Sequence, residues 1–370
     1  MLQSRPGNSE NARRTRVVLP MITLVPGGMG GSETYARALA TELARRDELD
    51  VVAVVSKLGQ GVSAGVREVV ARRVAGGPST AARLATLAQG MTPGAEVRHL
   101  IRTADVIHYP LSVPVPSGPR STPMIQTLLD VQHHDLPELF SRPELLYRRL
   151  VYDRPAQRAE VVITISEFSK AQIVKHLGLP PERVTVAHLG VDAGSFCRYD
   201  GQREPFVLYP ARIWPHKNHA RLIAAMTHLR RTRPELRLVL TGGGGGDLGD
   251  VPPWVEHRGL VTETELRELY RRASCLAFPS LYEGFGLPPL EAMASGCPVA
   301  VSTSGSLPEV CGEAAIAFDP ENVHAMADAI DRAIAGRDRL APLGLDRARM
   351  FSWSRSAEVH ANVYRELARA

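Results

Sequence analysis

Residues 275–303 read "CLAFPSLYEGFGLPPLEAMASGCPVAVST", and this stretch decides the fold. An apolar run, "CLAFPS", halts at a glycine-rich turn. The turn opens a helical stretch, and "PVAVST" returns to short apolar and β-branched residues. That order is strand, helix, strand. The same order surrounds it. "FVLYPARI", "LRLVLTG", "VEHRGLV" and "AAIAFDP" read as strands, while "NHARLIAAMTHLRR" and "TETELRELYRRAS" read as helices. The second helix opens with Thr262 and Glu265 in capping-box spacing. Strands that are apolar throughout and alternate with helices imply parallel sheets covered on both faces.

The N-terminal half repeats the pattern. "RVVLPMITLV", "VVAVVS", "ADVIHYP", "MIQTLL" and "EVVITIS" are strands, and "RVTVAHLGVD" is a last strand running into a connector. "SETYARALATELARR" carries apolar residues at helical spacing, and "EFSKAQIVKHLG" is a helix closed by Gly178. Residues 58–98 give no clear pattern; "REVVARRV" within them reads as a solvated helix, with contact to a lipid surface as the other reading. The expected architecture is α/β, two Rossmann-like domains joined near residues 190–205. A polar, disordered tail (1–14) precedes an N-terminal domain (15–195), a C-terminal domain (196–350) and a final helix (351–370). Ligands of such sheets bind outside the carboxyl ends of the strands, so the expected site is the cleft between two facing domains.

Length and composition agree with two soluble domains: 370 residues, 44% hydrophobic and 22% charged. No apolar run reaches the roughly 20 residues of a membrane span. "VVLPMITLV" lacks the cleavage site of a signal peptide and leads into a strand–loop–helix, so a cytoplasmic location is expected. The net charge of +5 is spread among acidic residues, with no basic block or nucleic-acid motif, which argues against a nucleic-acid partner. Cys197, Cys275, Cys297 and Cys311 show no C-x-x-C pairing and read as buried thiols.

Two glycine-rich turns, "PGGMGGSE" (26–33) and "EGFGLPPLE" (283–291), follow strands and open helices. The first helical N–H groups there lack internal partners and the helix dipole is positive, so a phosphate is the natural occupant. A third run, "TGGGGGD" (241–247), ends a strand without opening a helix. In "ARIWPHKNHARL", Arg212 ends a strand and Lys217 follows five residues later, in a chain with only four lysines. A guanidinium fork and an ammonium point charge together can neutralise a diphosphate. Glu291 falls in the first turn of its helix, where capping or dipole complementarity would account for it. Glu283, before the loop, has no such explanation and is suited to binding hydroxyls or stabilising positive charge.

With these residues in view, the chain resembles the GT4-type retaining glycosyltransferases of the GT-B fold. "SLYEGFGLPPLEAMASGCPVA" fits the family's E-x7-E pattern at Glu283 and Glu291, and "ARIWPHKNH" fits its R-x4-K pattern at Arg212 and Lys217. The resemblance implies that Arg212, Lys217 and the N–H groups of Phe285, Gly286 and Leu287 hold the diphosphate of a nucleotide-sugar donor. It places Glu291 at the ribose, Glu283 at the transferred sugar, Val261 at the nucleobase, and Gly30 and Gly31 along the cleft. It implies no metal and no other cofactor, and the chain has no D-x-D of the metal-clamped kind. The final helix resembles the one that crosses back to the first domain in the family. One departure stands out: in "TLLDVQHHDLPELF", Leu129 occupies the place of an expected histidine, leaving Asp130 and His133 as acceptor-side candidates. The expected acceptor is a hydroxyl of a glycoside, natural-product, cell-envelope or lipid-linked acceptor. A nucleotide-sugar epimerase of the same fold and a non-catalytic binding partner are the alternatives.

Overall fold

The computed structural model describes residues 13–369 except 193, 197, 200, 244, 245 and 247. Cys197, most of the N-terminal tail and part of the 241–247 run thus lie outside the described residues. Among the described residues thirteen strands form two sheets. The first sheet contains β1 (Thr15–Pro20), β2 (Leu49–Val55), β3 (Arg67–Val70), β4 (Val106–Tyr109), β5 (Met124–Thr127), β6 (Val161–Thr164) and β7 (Val184–Val186), in the order β3-β2-β1-β4-β5-β6-β7. The second contains β8 (Glu204–Pro210), β9 (Arg237–Thr241), β10 (Val255–His257), β11 (Ala273–Phe278), β12 (Val299–Ser302) and β13 (Ile316–Phe318), in the order β10-β9-β8-β11-β12-β13. The pairs β1–β2, β1–β4, β2–β3, β4–β5, β8–β9, β8–β11, β9–β10, β11–β12 and β12–β13 are parallel. Both orders run outward from the first strand in one direction and then in the other. That is the doubly wound arrangement, with a switch point beside the first strand.

The chain divides into two compact units. One comprises residues up to Thr127 with Arg158–Val162 and Ala357–Ala370; the other comprises Leu128–Gln157 and Ile163–Ser356. In the first, Val18, Val52, Val54, Ile107 and Tyr109 are fully buried in a core with Val97, Leu100 and Ile101. A buried polar chain crosses its interior: Tyr35 Oη lies 2.9 Å from both Thr127 Oγ1 and His360 Nε2, and His108 bridges Thr127 Oγ1 and Tyr364 Oη at 2.8 and 2.6 Å. Burial keeps His108 neutral, and each polar atom in the chain finds a partner, as buried polar groups must. In the second unit Val207, Leu208, Leu238, Leu240 and Leu276 are at most 1% exposed.

Local signals act as read in many places. Thr262 and Glu265 close a capping box on the helix Glu263–Arg272, and Gly178 ends the helix Glu167–Leu177 at φ 64°. Two readings need correction. "REVVARRV" is no solvated helix: Arg67–Val70 is β3, paired with β2, and Val69 is buried. "VEHRGLV" is strand only over Val255–His257, because Gly259 turns at φ 64° and its carbonyl accepts the Gly242 N–H. The unassigned stretch 58–98 also supplies the helices Thr80–Gly90 and Ala95–Arg102. Cys275, Cys297 and Cys311 are buried free thiols. No helix among the described residues is long and apolar enough to cross a membrane.

Candidate active site

Carboxyl ends of β8 and β11 lie side by side where the second sheet's order reverses. Arg212 and Lys217 follow β8, and Glu283 to Leu287 follow β11. Lys217 ends a 3-10 turn, Pro215–Lys217, and Asn218 behind it adopts φ 61°. That left-handed residue is held by its own side chain, which donates to the carbonyls of Pro279 and Pro320 at 3.0 and 2.8 Å. The Tyr209 hydroxyl donates to the Lys217 carbonyl at 2.7 Å. With its backbone fixed from both sides, Lys217 points Nζ at Glu283 Oε1, 2.6 Å away, both side chains being mostly buried.

Two neighbouring histidines keep this centre simple electrostatically. Burial, then the Lys217 charge, lowers His216 to about 3. Burial lowers His219 to about 4. Neither imidazole adds positive charge near neutral pH, so the charge that faces Glu283 is that of Lys217. Arg212 lies with its guanidinium 5.5 Å from the centre of the half-exposed Trp214 ring. Its backbone is crossed by the end of β9: a Cβ at Gly242 would stand 2.6 Å from the Ala211 carbonyl oxygen.

The loop after β11 is shaped by close backbone approach. The Glu283 carbonyl accepts from the Ser306 N–H and hydroxyl, both at 3.1 Å, and Gly305 packs so near that a Cβ would sit 2.4 Å from that carbonyl oxygen. The Gly284 carbonyl accepts from Ser166 and Ser169 hydroxyls at 2.7 and 3.3 Å. Gly286 caps the helix Leu287–Ala294 at φ 112°, with no room for a Cβ beside Leu307. The N–H groups of Phe285, Gly286 and Leu287 thus gather at a helix start, where Pro288 and Pro289 contribute none.

Glu291 sits one turn into that helix and accepts a hydrogen bond from the Tyr270 hydroxyl at 2.7 Å. Burial raises its pKa from 4.5 to about 7 against the opposing effect of that bond. Val261 is half-buried in the loop ahead of the Thr262 cap. Asp130 lies against the loop after β11: the Cβ direction of Gly284 meets the Leu129 carbonyl at 3.0 Å and the Asp130 Cβ at 3.2 Å. His133, by contrast, is 4% exposed, with Nε2 3.1 Å from Asp153 Oδ1. Burial works against ionisation of Asp153, but hydrogen bonds and charge from His133 and His134 outweigh it and lower its pKa. Gly30 and Gly31 belong to the other unit, where Gly30 caps the helix Gly31–Leu43 at φ 58°. Of the sequence candidates, Gly30 and Gly31 thus lie in the first unit, and Arg212, Lys217, Val261, Glu283, the Phe285–Leu287 turn, Glu291, Asp130 and His133 lie in the second.

Three supporting residues escaped the sequence reading. Ser166 and Ser169 anchor the Gly284 carbonyl, and both sit inside an ordinary helix start. Glu309 accepts the N–H groups of Glu167 and Phe168 at 2.9 and 3.0 Å and lies 2.8 Å from His188 Nε2. Burial of Glu309 opposes its ionisation, yet these bonds hold its pKa below the ordinary value. Capping across 142 positions of sequence leaves no local signal.

Comparison with known proteins defines the class. The chain matches the model of glycosyl transferases group 1 over residues 200–344 and that of glycosyltransferase family 4 over residues 29–195. It belongs to the GT4-type glycosyltransferases, and its two Rossmann-like sheets are those of the GT-B fold. Among its relatives is the O-antigen chain mannosyltransferase B of Escherichia coli, 29% identical over 66% of this chain and 70% of the other. The D-inositol 3-phosphate glycosyltransferase of Corynebacterium glutamicum is 28% identical over 92% of each chain. Sucrose-phosphate synthase from Thermosynechococcus elongatus shares the fold, with a TM-score of 0.77 at 22% identity, covering 96% of this chain and 99% of that one.

Proposed function

We propose that this glycosyltransferase moves a sugar from a nucleotide-diphosphate donor to an acceptor hydroxyl with retention at the anomeric carbon and without a divalent metal at the diphosphate. The observation that carries this reading is the Lys217–Glu283 pair, 2.6 Å apart at the switch point of the second sheet and flanked by the helix start at Gly286. In this reading Lys217 and Arg212 neutralise the diphosphate as it departs, assisted by the N–H groups of Phe285 to Leu287. Such prearranged positive charge supplies the stabilisation that a metal provides elsewhere. Glu283 holds hydroxyls of the transferred sugar and faces the positive charge that develops at its anomeric carbon. Glu291 binds the ribose and Val261 adjoins the base. The leaving phosphate takes the proton of the acceptor hydroxyl, so the protein needs no strong base on that side.

Asp130 is the acceptor-side residue in this scheme. It lies against Gly284, whereas the Nε2 of His133 is taken up by Asp153. One named relative is an O-antigen chain mannosyltransferase and the other a D-inositol 3-phosphate glycosyltransferase, names that support a glycan or polyol hydroxyl as the acceptor. We place the enzyme in the cytoplasm, where nucleotide sugars are made. The test is transfer from a panel of nucleotide sugars with no added Mg2+ or Mn2+, followed by the anomeric proton coupling of the product. Retained configuration at undiminished rate is expected. Inversion, or strict dependence on added Mg2+ or Mn2+, would overturn the scheme.

A further inference from the structure

We propose that His133, His134 and Asp153 form a zinc site that fixes the segment carrying Leu129 and Asp130 beside the Gly284 turn. Nitrogen and oxygen ligand atoms of the three residues all lie within 4.8 Å of one another. His133 Nε2 stands 3.1 Å from Asp153 Oδ1, and His134 Nε2 stands 2.9 Å from Oδ2. Tetrahedral zinc with bonds of about 2.0–2.2 Å holds neighbouring ligand atoms about 3.3–3.5 Å apart, so small side-chain shifts would admit the ion. Two imidazoles and one carboxylate suit zinc, whereas magnesium and calcium take oxygen donors.

The cluster is built rather than incidental. Consecutive residues of a helix diverge by about 100°, yet His133 and His134 aim the same ring atom at one carboxylate. They do so from a single turn, Gln132–Asp135. Asp153 arrives from a π-helical turn, Arg149–Asp153, and such turns are frequent at functional sites. The His134 ring stacks on His176 with centroids 5.1 Å apart, and His176 Nε2 is itself 2.8 Å from Asp135 Oδ1. The His133 ring meets Phe140 edge-on. Both rings are therefore oriented before any ion arrives. The His134 side chain is 29% exposed, so solvent reaches the cluster from that side. The histidines follow Asp130 by three and four residues, and the Leu129 carbonyl is already tied to the Ser169 hydroxyl at 3.1 Å, so an ion there would stiffen this whole segment.

The test is direct metal binding to the full chain without an affinity tag, with no activity readout. After chelation and dialysis, Zn2+ is titrated against a chromophoric competitor, and Co2+ is titrated for the visible absorption of a four-coordinate site. One equivalent of Zn2+ with a Kd below about 10 μM is expected, weakened at least about 100-fold in His134→Gln and in Asp153→Asn. Two conservative variants guard against one of them misfolding, and circular dichroism checks both. Absence of Zn2+ binding to the wild type, or binding left unchanged by both substitutions, would overturn the proposal and leave a hydrogen-bonded cluster only.

Discussion

At the scale of the residue, Lys217 and Glu283 are two charges with most of their surface removed from water. Removing one partner strands the other, so Lys217→Ala should cost stability as well as activity. We expect a loss of about 1–3 kcal/mol for either Lys217→Ala or Glu283→Gln, and a double variant clearly less damaged than the sum. Urea unfolding of the three variants measures this coupling; strict additivity would contradict the pairing. In transfer assays Lys217→Ala should lower kcat/KM for the donor by about 10²–10³. Glu291 makes a second prediction. Its folded pKa of about 7 lies above the ordinary 4.5, so the folded state holds the proton more tightly. The stability this contributes is complete below about pH 4.5 and is lost as pH rises through about 7, an effect of roughly 3 kcal/mol. Glu291→Gln should flatten the fall in urea midpoint between pH 5 and 7.5. Parallel profiles for wild type and variant would refute the assignment.

Elements rather than single charges set the geometry of the loop after β11. Gly305 leaves no room for a Cβ against the Glu283 backbone, so Gly305→Ala must push the loop away from Lys217. A displacement near 1 Å is enough to cost about 10²-fold in rate, and kcat should fall more than donor affinity. Gly286→Ala forces a left-handed residue and should destabilise the fold by about 1–3 kcal/mol, visible as a lower melting temperature. Much of this element scale was legible in sequence, because glycines, prolines and caps act locally: the strand–turn–helix at 283–291 and the caps at Thr262 and Gly178 needed no tertiary information. "REVVARRV" was misread because its arginines suggested a solvated face, while pairing with β2 decides its conformation. No element was read over 142–158, where a π-turn breaks the helical period just where Asp153 is presented.

On the scale of the molecule, two doubly wound sheets repeat one strand order, and the second brings six of the sequence-named residues to its switch point: Arg212, Lys217, Glu283, Phe285, Gly286 and Leu287. The half proposed to bind the donor was readable because its residues sit in two short motifs at strand ends. The acceptor side was less so. Leu129 stands where the family pattern has a histidine, and His133 turns out to be engaged by Asp153, a partner 20 positions away. The measurement that tests the account most directly is a thermal-shift series with UDP, GDP, dTDP, CDP and ADP on the wild type and on the Arg212→Ala/Lys217→Ala double variant. A nucleotide at a hundred times its Kd stabilises the folded state by about 2.7 kcal/mol. The account predicts that one of the five raises the melting temperature of the wild type and leaves the double variant unmoved. No shift with any nucleotide at millimolar concentration, or an equal shift in both proteins, would contradict it.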